Sequence, residues 1–252
     1  MRILSLVAIL ACSTLTSCFQ LEVTAQAGYA QLALDGDVGY VDGATSASIA
    51  QDIESGFGLG DDQGVPYARA QVDFGVPVLA ASGFMFDESG SGTLQADFGN
   101  NLTAGTQVFT DFTLNCAKVS YAFEIGLGPV SIEPGIAVDF IDLSVKAQDS
   151  VGIFTEDVQL TAPIPLAFVR GLLDFDFIAA VAEVGYMQVD VKDVNAKLLD
   201  LEALVEYRPI DWVDLFVGYR SVRLEADGLI DGDQVDLDIG ISGFLIGGGV
   251  RF

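Results

Sequence analysis

The carboxyl-terminal segment, residues 235–252, has the pattern of a β-strand with two different faces. Phe244, Ile246 and Phe252 fall on one face at a period of two, with Arg251 and glycines on the other. The first part of the segment is out of phase, which predicts a β-bulge or a change of phase near residues 240–243. After the amino-terminal leader, the sequence has no apolar run long enough for a membrane-spanning helix. In lipid, only an α-helix or a closed β-barrel gives every backbone N–H and C=O group a hydrogen-bond partner. A chain without a spanning helix would therefore have to cross the membrane as a closed barrel.

Charge and hydropathy point in opposite directions in this chain. The formal net charge is -25, yet 51% of the residues are hydrophobic and the mean hydropathy is +0.46. Acidic disordered chains are poor in apolar residues, and acidic soluble proteins are rarely so apolar. A barrel with an apolar outer band and acidic loops explains both numbers. The same charge excludes nucleic acid as a partner, because its phosphates would be repelled.

The amino terminus has the form of an export signal, with one cation, an apolar run over residues 3–11 and small residues before Cys18. Residues 15–18 form a lipobox-like sequence. We therefore expect residues 1–17 to be a lipoprotein-type signal peptide and Cys18 to be acylated. The alternative is ordinary signal-peptidase cleavage, with Cys18 incidental. Since Cys116 is the other cysteine outside the signal, we expect no disulfide framework.

Residues 18–252 are predicted to form a single antiparallel transmembrane β-barrel of ten strands. The expected strands are 21–41, 65–74, 78–98, 106–125, 130–147, 157–172, 177–191, 196–208, 213–226 and 235–252. Short and long connections alternate, as short periplasmic turns and longer external loops do. The even count places both termini in the periplasm. Ambiguity at 78–98 and 192–195 leaves eight or twelve strands as alternatives.

The first long connection contains Ile49, Ile53 and Phe57 at the spacing of one helical face. This spacing predicts a short helix in the first extracellular loop. We expect the helix to plug the barrel mouth; the alternative is that it presents a small apolar patch to a ligand.

Short motifs occur along the whole mature chain: Gly-Leu-Gly-Asp-Asp at 58–62, Asp-Glu-Ser-Gly-Ser-Gly-Thr-Leu at 87–94 and Val-Gly-Tyr-Arg at 217–220. With these motifs and its terminal Phe252, the chain resembles an uncharacterised family of Gram-negative outer-membrane β-barrel proteins. The resemblance implies that Phe252 is read by the barrel-assembly machinery and that the barrel contacts outer-membrane lipid and lipopolysaccharide. It implies no activity. Family members carry ordinary signal peptides, so the lipobox is a departure.

The sequence contains no histidine. Known outer-membrane barrel enzymes, proteases and phospholipases among them, use a histidine as acid or base. Without an imidazole, the usual way to activate a serine or a water molecule near neutral pH is missing. No distinctive carboxylate pair replaces it, and we therefore expect no enzymatic activity.

Charged residues recur on the inward faces of several predicted strands. The expected inward-facing charges are Arg69, Asp73, Lys118, Glu124, Glu133, Asp139, Asp200, Glu202, Glu206 and Arg220. Because a ten-stranded barrel is narrow, we expect these side chains to pair and plug the lumen. The function predicted is that of a monomeric, non-enzymatic barrel with a membrane-structural or surface-interaction role. The alternative is a narrow channel or carrier for a small solute or lipid.

Alternate carboxylates with an intervening glycine occur at Asp35, Asp37 and Asp42, and again at 231–236. This form could hold Ca²⁺, although neither segment completes an EF-hand loop. Acidic hairpin tips with glycines for tight turns are the alternative. No other cofactor is expected.

Overall fold

The computed structural model describes residues 21–41, 43, 48–191, 194–230 and 232–252. Within these residues, ten long strands carry most of the chain, with two short strands and one short helix. The elements are β1 Glu22–Val41, β2 Gln51–Asp52, α1 Ile53–Phe57, β3 Gln63–Asp73, β4 Pro77–Thr93, β5 Gln107–Phe123, β6 Ile125–Leu127, β7 Val130–Asp149, β8 Thr155–Asp174, β9 Ile178–Val191, β10 Val194–Ile210, β11 Val213–Ile230 and β12 Asp233–Arg251.

The long strands form an antiparallel ring that is closed by pairing of β12 with β1. At the seam, Val23 and Phe252 exchange two backbone hydrogen bonds of 3.0 and 2.9 Å. The predicted closed, all-β barrel is therefore confirmed. Its ten long strands correspond to the ten predicted ones, and β2 and β6 are short additions to the ring.

The two ends of the barrel differ in their connections. At one end, here called the turn end, β3–β4, β6–β7, β8–β9 and β10–β11 are joined by tight turns. Gly75 and Gly128 adopt positive φ angles of 94° and 66° in two of these turns, where a side chain would be strained. The opposite end, here called the loop end, carries the three longer connections, after β1, β4 and β7. It also carries β9–β10 and β11–β12, which are as short as the tight turns, so the predicted alternation of short and long connections fails at these two positions. No helix in the described part of the chain is long and apolar enough to cross a membrane.

Large apolar side chains form a band around the outside of the barrel, on the half nearer the turn end. This apolar girdle consists of Tyr29, Leu79, Tyr121, Phe123, Ile132, Ile136, Phe140, Val169, Val184, Tyr186, Val205, Tyr207, Leu215, Val217, Tyr219, Phe244 and Ile246. Toward the loop end the next outward residues are polar, as where Asp142 follows Phe140 and Gln188 follows Tyr186. The girdle therefore has a defined upper edge.

Of the two irregularities predicted for β12, the bulge is absent and the change of phase is present. β12 keeps continuous register with both β11 and β1. Its out-of-phase residues, Leu237, Ile239 and Ile241, are buried inside the barrel, whereas Phe244 and Ile246 face outward. The apolar residues of β12 therefore point outward within the girdle and inward above it. This is because the outer surface of the barrel becomes polar above the girdle, where the apolar core lies inside.

Candidate functional site: a buried charge network in the lumen

Four cations and four carboxylates from seven strands meet inside the barrel, at the level of the girdle. This lumen network consists of Arg69, Lys118, Arg170, Arg220, Glu133, Glu183, Asp200 and Glu202, each at most 6% exposed. In a strand, alternate residues point to the same side, so each of these side chains is aimed inward by the register that aims its neighbours outward. On β10, for example, Asp200 and Glu202 lie inside while Leu199 and Val205 lie on the outer face.

Glu183 on β9 joins three cations. Its Oε1 accepts hydrogen bonds from Arg69 Nη2 at 2.6 Å and Arg170 Nε at 2.8 Å, and its Oε2 lies 3.0 Å from Lys118 Nζ. Arg170 also donates to Glu133 at 2.8 Å. These contacts connect five strands on different sides of the lumen.

Arg220 on β11 joins the two carboxylates of β10. Its Nη2 donates to Asp200 at 2.6 Å, and its Nη1 donates to Glu202 and to Ser82 Oγ, the latter at 3.0 Å. Glu202 also accepts from Arg69 on β3. A guanidinium can serve several acceptors at once, and both arginines are used in this way. The resulting contacts cross the lumen and obstruct it.

The structure brings six of the ten predicted lumen residues into this network: Arg69, Lys118, Glu133, Asp200, Glu202 and Arg220. Asp139 is fully buried beside them, but its two carboxylate oxygens accept no hydrogen bond. Glu206 lies nearer the turn end, where it accepts from Gln26 at 2.8 Å.

Asp73 and Glu124 lie at the rim of the turn end rather than in the network. Both are partly exposed: Asp73 is the last residue of β3 before a turn, and Glu124 lies between β5 and β6. Asp73 accepts the N–H of Gly75 at 2.6 Å, which makes it a turn residue. Both residues line the polar cavity at the turn end, so they face the lumen as predicted, but they lie outside the ion-paired network.

Sequence reasoning missed two members of the network, Arg170 and Glu183. The alternation of inward and outward residues along each strand predicts that both face the lumen. Phe168 and Arg170 share the inward face of β8, and Val181 and Glu183 share the inward face of β9. A complete count of the inward positions on these two strands would have found them.

At the turn end, the network forms the floor of a small polar cavity of about 200 Å³. Arg69, Glu133 and Arg170 line it together with Glu206 and Arg208 nearer the rim. A water molecule occupies roughly 30 Å³ in the liquid, so the cavity holds only a few. It ends at the network.

At the loop end, the lumen is filled by apolar side chains. Ile53 and Phe57 of α1 are each 1% exposed, and Phe57 packs edge-on against Phe98 with ring centroids 5.1 Å apart. The predicted helix is confirmed, but it begins at Ile53 and leaves Ile49 outside it, 66% exposed. Asp52 caps the helix by accepting from the Ser55 hydroxyl and N–H, and these hydrogen bonds lower the pKa of its carboxyl.

Buried side chains fix the loop-end segments to the barrel wall. The Glu156 carboxylate on β8 accepts the N–H groups of Asn100 and Asn101 at 3.2 and 2.9 Å and the Asn101 side-chain amide at 2.6 Å. Glu88 on β4 accepts the N–H groups of Gly60 and Asp61 at 2.7 and 2.8 Å. The mouth is therefore covered by segments of the chain that are bonded in place.

The carboxylates considered for Ca²⁺ do not form a close group in the described part of the chain. Asp35 and Asp37 are exposed on β1, and Asp35 lies 3.9 Å from Arg223. Asp42 is outside the described residues.

Another set, Cys116, Asp139 and Asp200, offers three ligand atoms within 4.8 Å. Asp200 already pairs with Arg220 and Lys118, and these two cations would repel a metal ion there. The cluster is better suited to holding its cations than to binding a metal.

The predicted signal peptide and Cys18 also lie outside the described residues. Phe252 is 78% exposed at the turn end, next to the seam of the barrel.

Neither protein-family models nor curated protein sequences match this chain. Among solved structures, the outer-membrane protease OmpT of Escherichia coli is similar at a TM-score of 0.52, with 9% sequence identity, over 92% of this chain and 96% of that one. This chain has the outer-membrane β-barrel fold. The attachment protein Ail of Yersinia pestis, solved with a heparin analogue, is similar at 0.42 with 12% identity, over 92% and 99% of the two chains. A Pseudomonas aeruginosa FadL homologue is similar at a TM-score of 0.37 with 9% sequence identity, over 92% of this chain and 90% of that one. The fold assignment rests on the first of these.

Proposed function

We propose that this protein is a non-enzymatic outer-membrane β-barrel whose lumen is closed by its own side chains, with a membrane-structural or surface-interaction role. The observation that carries the proposal is the double closure of the lumen. The network obstructs it at the level of the girdle, and the apolar plug with its bonded loops fills the other half. The cavity of about 200 Å³ at the turn end is lined by Arg69, Glu133 and Arg170 of the network.

The proposed orientation places the turn end in the periplasm and the loop end outside the cell. β1 begins and β12 ends at the turn end, so both described chain ends would be periplasmic. The girdle would contact the lipid, and the exposed Phe252 would be available to the barrel-assembly machinery. Short periplasmic turns and longer external loops are the usual arrangement in this fold.

The proposed outer surface is acidic above the girdle. Asp87, Asp111 and Asp142 are exposed there, and each accepts a hydrogen bond from a neighbouring threonine or serine hydroxyl. These carboxylates support contact with lipopolysaccharide through bridging divalent cations. We propose that the barrel acts as a monomer in this setting.

A non-enzymatic role is supported by the chemistry of the interior. The chain has no histidine, and the four network carboxylates are each paired with a buried cation. Carboxylates held in this way are neither free to move protons nor accessible to a substrate. The alternative function is a narrow channel, and it differs from the closed barrel in its ion conductance.

Planar-bilayer recording of the purified protein separates the two functions. The closed barrel predicts no stepwise conductance, whereas a channel predicts discrete steps. Arg220→Ala should raise ion leakage, because it removes the group that links Asp200 and Glu202 of β10 to Ser82 of β4 on another side of the lumen. The matched control is Arg223→Ala, whose guanidinium is exposed on the same strand and should leave conductance unchanged. Stepwise conductance in the unmodified protein would contradict the proposal.

Acylation of Cys18 is a separate proposal, which rests on the lipobox-like residues 15–18. Intact mass should show a mature chain that begins at a lipid-modified Cys18, and Cys18→Ala should leave unprocessed precursor. An unmodified terminus downstream of residue 18 would overturn it.

A further inference from the structure

Two gaps interrupt strand pairing toward the loop end. β3 and β4 pair from Asp73 opposite Val78 only as far as Tyr67 opposite Phe84. β8 and β9 pair only between Ala167 opposite Tyr186 and the turn end. Above that point, residues 155–166 of β8 pair with β7 on one side and, within the described residues, with no strand on the other.

The chain itself fills the first gap. The segment after α1 lies against the free edge of β4, where Glu88 accepts the N–H groups of Gly60 and Asp61. A Cβ on Gly58 would be only 2.2 Å from the Ser91 carbonyl oxygen, which shows how closely the two backbones approach. Just before this segment, Ile53 and Phe57 of α1 enter the lumen and are buried. In this molecule, a gap of this kind is closed by a peptide segment that inserts apolar side chains.

Pro163 and Pro165 explain where the second gap begins. β8 stays paired with β7 through both prolines, opposite Phe140 and Val138, so the N–H that each proline lacks is one that would face β9. Phe140 marks the upper edge of the girdle, and an unpaired N–H at lipid level would be costly. The prolines remove that donor from the lipid zone. Above them, residues 155–161 have N–H groups and polar outward side chains.

The inner face of this free edge is apolar and incompletely covered. Val158, Leu160 and Ala162 are only partly buried, although all three pack against the core. The β7 residues opposite them, Val145, Leu143 and Ile141, are 1 to 2% exposed. The edge therefore presents both unpaired backbone groups and uncovered apolar side chains.

We propose that the gap between β8 and β9 is a docking site for an extended peptide segment of a partner protein. The segment would add as a strand along residues 155–161 and place alternate apolar side chains on Val158 and Leu160, as in other cases of strand addition. Its outward residues would be basic, because Asp157 and Asp190 are the charged, exposed residues of the two edge strands. An acyl chain would cover the apolar side chains but would leave the backbone groups unpaired.

This inference deepens the surface-interaction role proposed above and depends on the loop end facing outward. A fluorescent heptapeptide of alternating valine and lysine is a suitable probe, with alternating valine and aspartate as its charge control. Binding to the full-length protein is measured by anisotropy in detergent, and exchange of the amides at 155–161 is followed with and without peptide. We expect the valine–lysine peptide to slow exchange at Gln159 and Thr161 at least tenfold and the valine–aspartate peptide to have little effect.

Two variants at one position test the backbone contact. Gln159, like Pro163 and Pro165, has its N–H position on the side of β8 that faces away from β7. Gln159→Pro therefore leaves the hydrogen bonds to β7 intact but removes a donor from the free edge, and the affinity for the peptide should fall at least tenfold. Gln159→Ala keeps the N–H and should bind as the unmodified protein does. Equal binding of the peptide by both variants would overturn the proposal. So would slow exchange of the amides at 155–161 in lipid vesicles without peptide, because lipid would then be the occupant of the gap. Either result leaves the conductance test of the closed lumen unaffected.

Discussion

The two halves of the barrel are built on opposite principles. Near the turn end, the outer face is apolar and the interior holds the ion pairs of Arg69 and Arg220. Near the loop end, the outer face is polar and the interior is packed with aromatic and aliphatic side chains such as Phe86 and Phe112, whose rings lie 6.0 Å apart. The same strands pass through both halves, so the surroundings of each half decide which face is apolar.

This difference predicts two kinds of weakness. In the turn-end half, stability depends on pairing, because a buried charge without its partner is penalised in a low dielectric. In the loop-end half, stability depends on shape, because removal of a large side chain leaves a cavity. Substitutions in each half can separate these two dependences.

The largest effect is expected for Glu202→Ala. It removes the carboxylate shared by Arg69 and Arg220 and leaves both guanidinium groups short of a buried partner. Loss of one partner of a buried pair costs about 3–5 kcal/mol. Urea unfolding in lipid vesicles should show this loss, and heat-modifiability on gels should shift to lower temperature.

Two control variants determine whether the loss of stability in Glu202→Ala comes from its burial or from its ion pairs. Glu225→Ala breaks an ion pair with Lys197 whose side chains are each 39% exposed, and should cost far less than Glu202→Ala, because water screens an exposed pair. Asp139→Asn alters a carboxylate that is fully buried but accepts no hydrogen bond, and should be tolerated. If Asp139→Asn destabilised the barrel as much as Glu202→Ala does, burial rather than pairing would govern this half.

The sequence predicted the strands and their faces because alternation is a local property. It showed that Arg69 and Glu202 point inward, but not that they meet, since they lie 133 residues apart. For the out-of-phase part of β12 it left two interpretations, a bulge and a change of phase, and only the continuous register with β1 and β11 shows that the change of phase is correct.

A second prediction concerns packing in the loop-end half. Phe112→Ala should cost about 3 kcal/mol, because Phe112 is 1% exposed and its truncation leaves a cavity. The control, Phe109→Ala, lies on the same strand but faces outward at 46% exposure and should change little. Hydrogen exchange should show that Phe112→Ala loosens the loop end and leaves the strands around the network protected. Equal loosening at both ends would show that the halves do not behave independently.

A third, smaller effect is expected where a loop is attached to the barrel. Glu156→Gln weakens three charge-assisted hydrogen bonds to Asn100 and Asn101 and should cost about 1–2 kcal/mol. Limited proteolysis should then cut residues 94–105 sooner while the barrel remains intact. Glu54→Gln, on the exposed side of α1, is the control. Unchanged cleavage in Glu156→Gln would mean that packing alone holds the loop.

These attachments mark the limit of what the sequence shows. Ile53 and Phe57 were identified as a plug because helical spacing is visible in sequence. Glu88 and Glu156, which fix the loops, look like ordinary acidic strand residues, because their partners are backbone N–H groups of distant segments. Pro163 and Pro165 lie inside a long strand, where proline is normally excluded, and the pairing of β8 with β7 alone at these positions shows that they lie on a free edge.

The smallest effect is expected at the cap of α1. Asp52→Ala removes the acceptor for the Ser55 N–H and hydroxyl and should cost up to about 1 kcal/mol, expressed as faster exchange of the Ser55 amide. Because these hydrogen bonds lower the pKa of the Asp52 carboxyl, its contribution is present above the unfolded pKa and is lost as pH falls through the folded one. The difference between Asp52→Ala and the unmodified protein should therefore shrink in acid, whereas Asp52→Asn, which keeps an acceptor, should show less dependence on pH. A difference that stays constant from neutral to acid pH would show that the charge of Asp52 does not contribute to the cap.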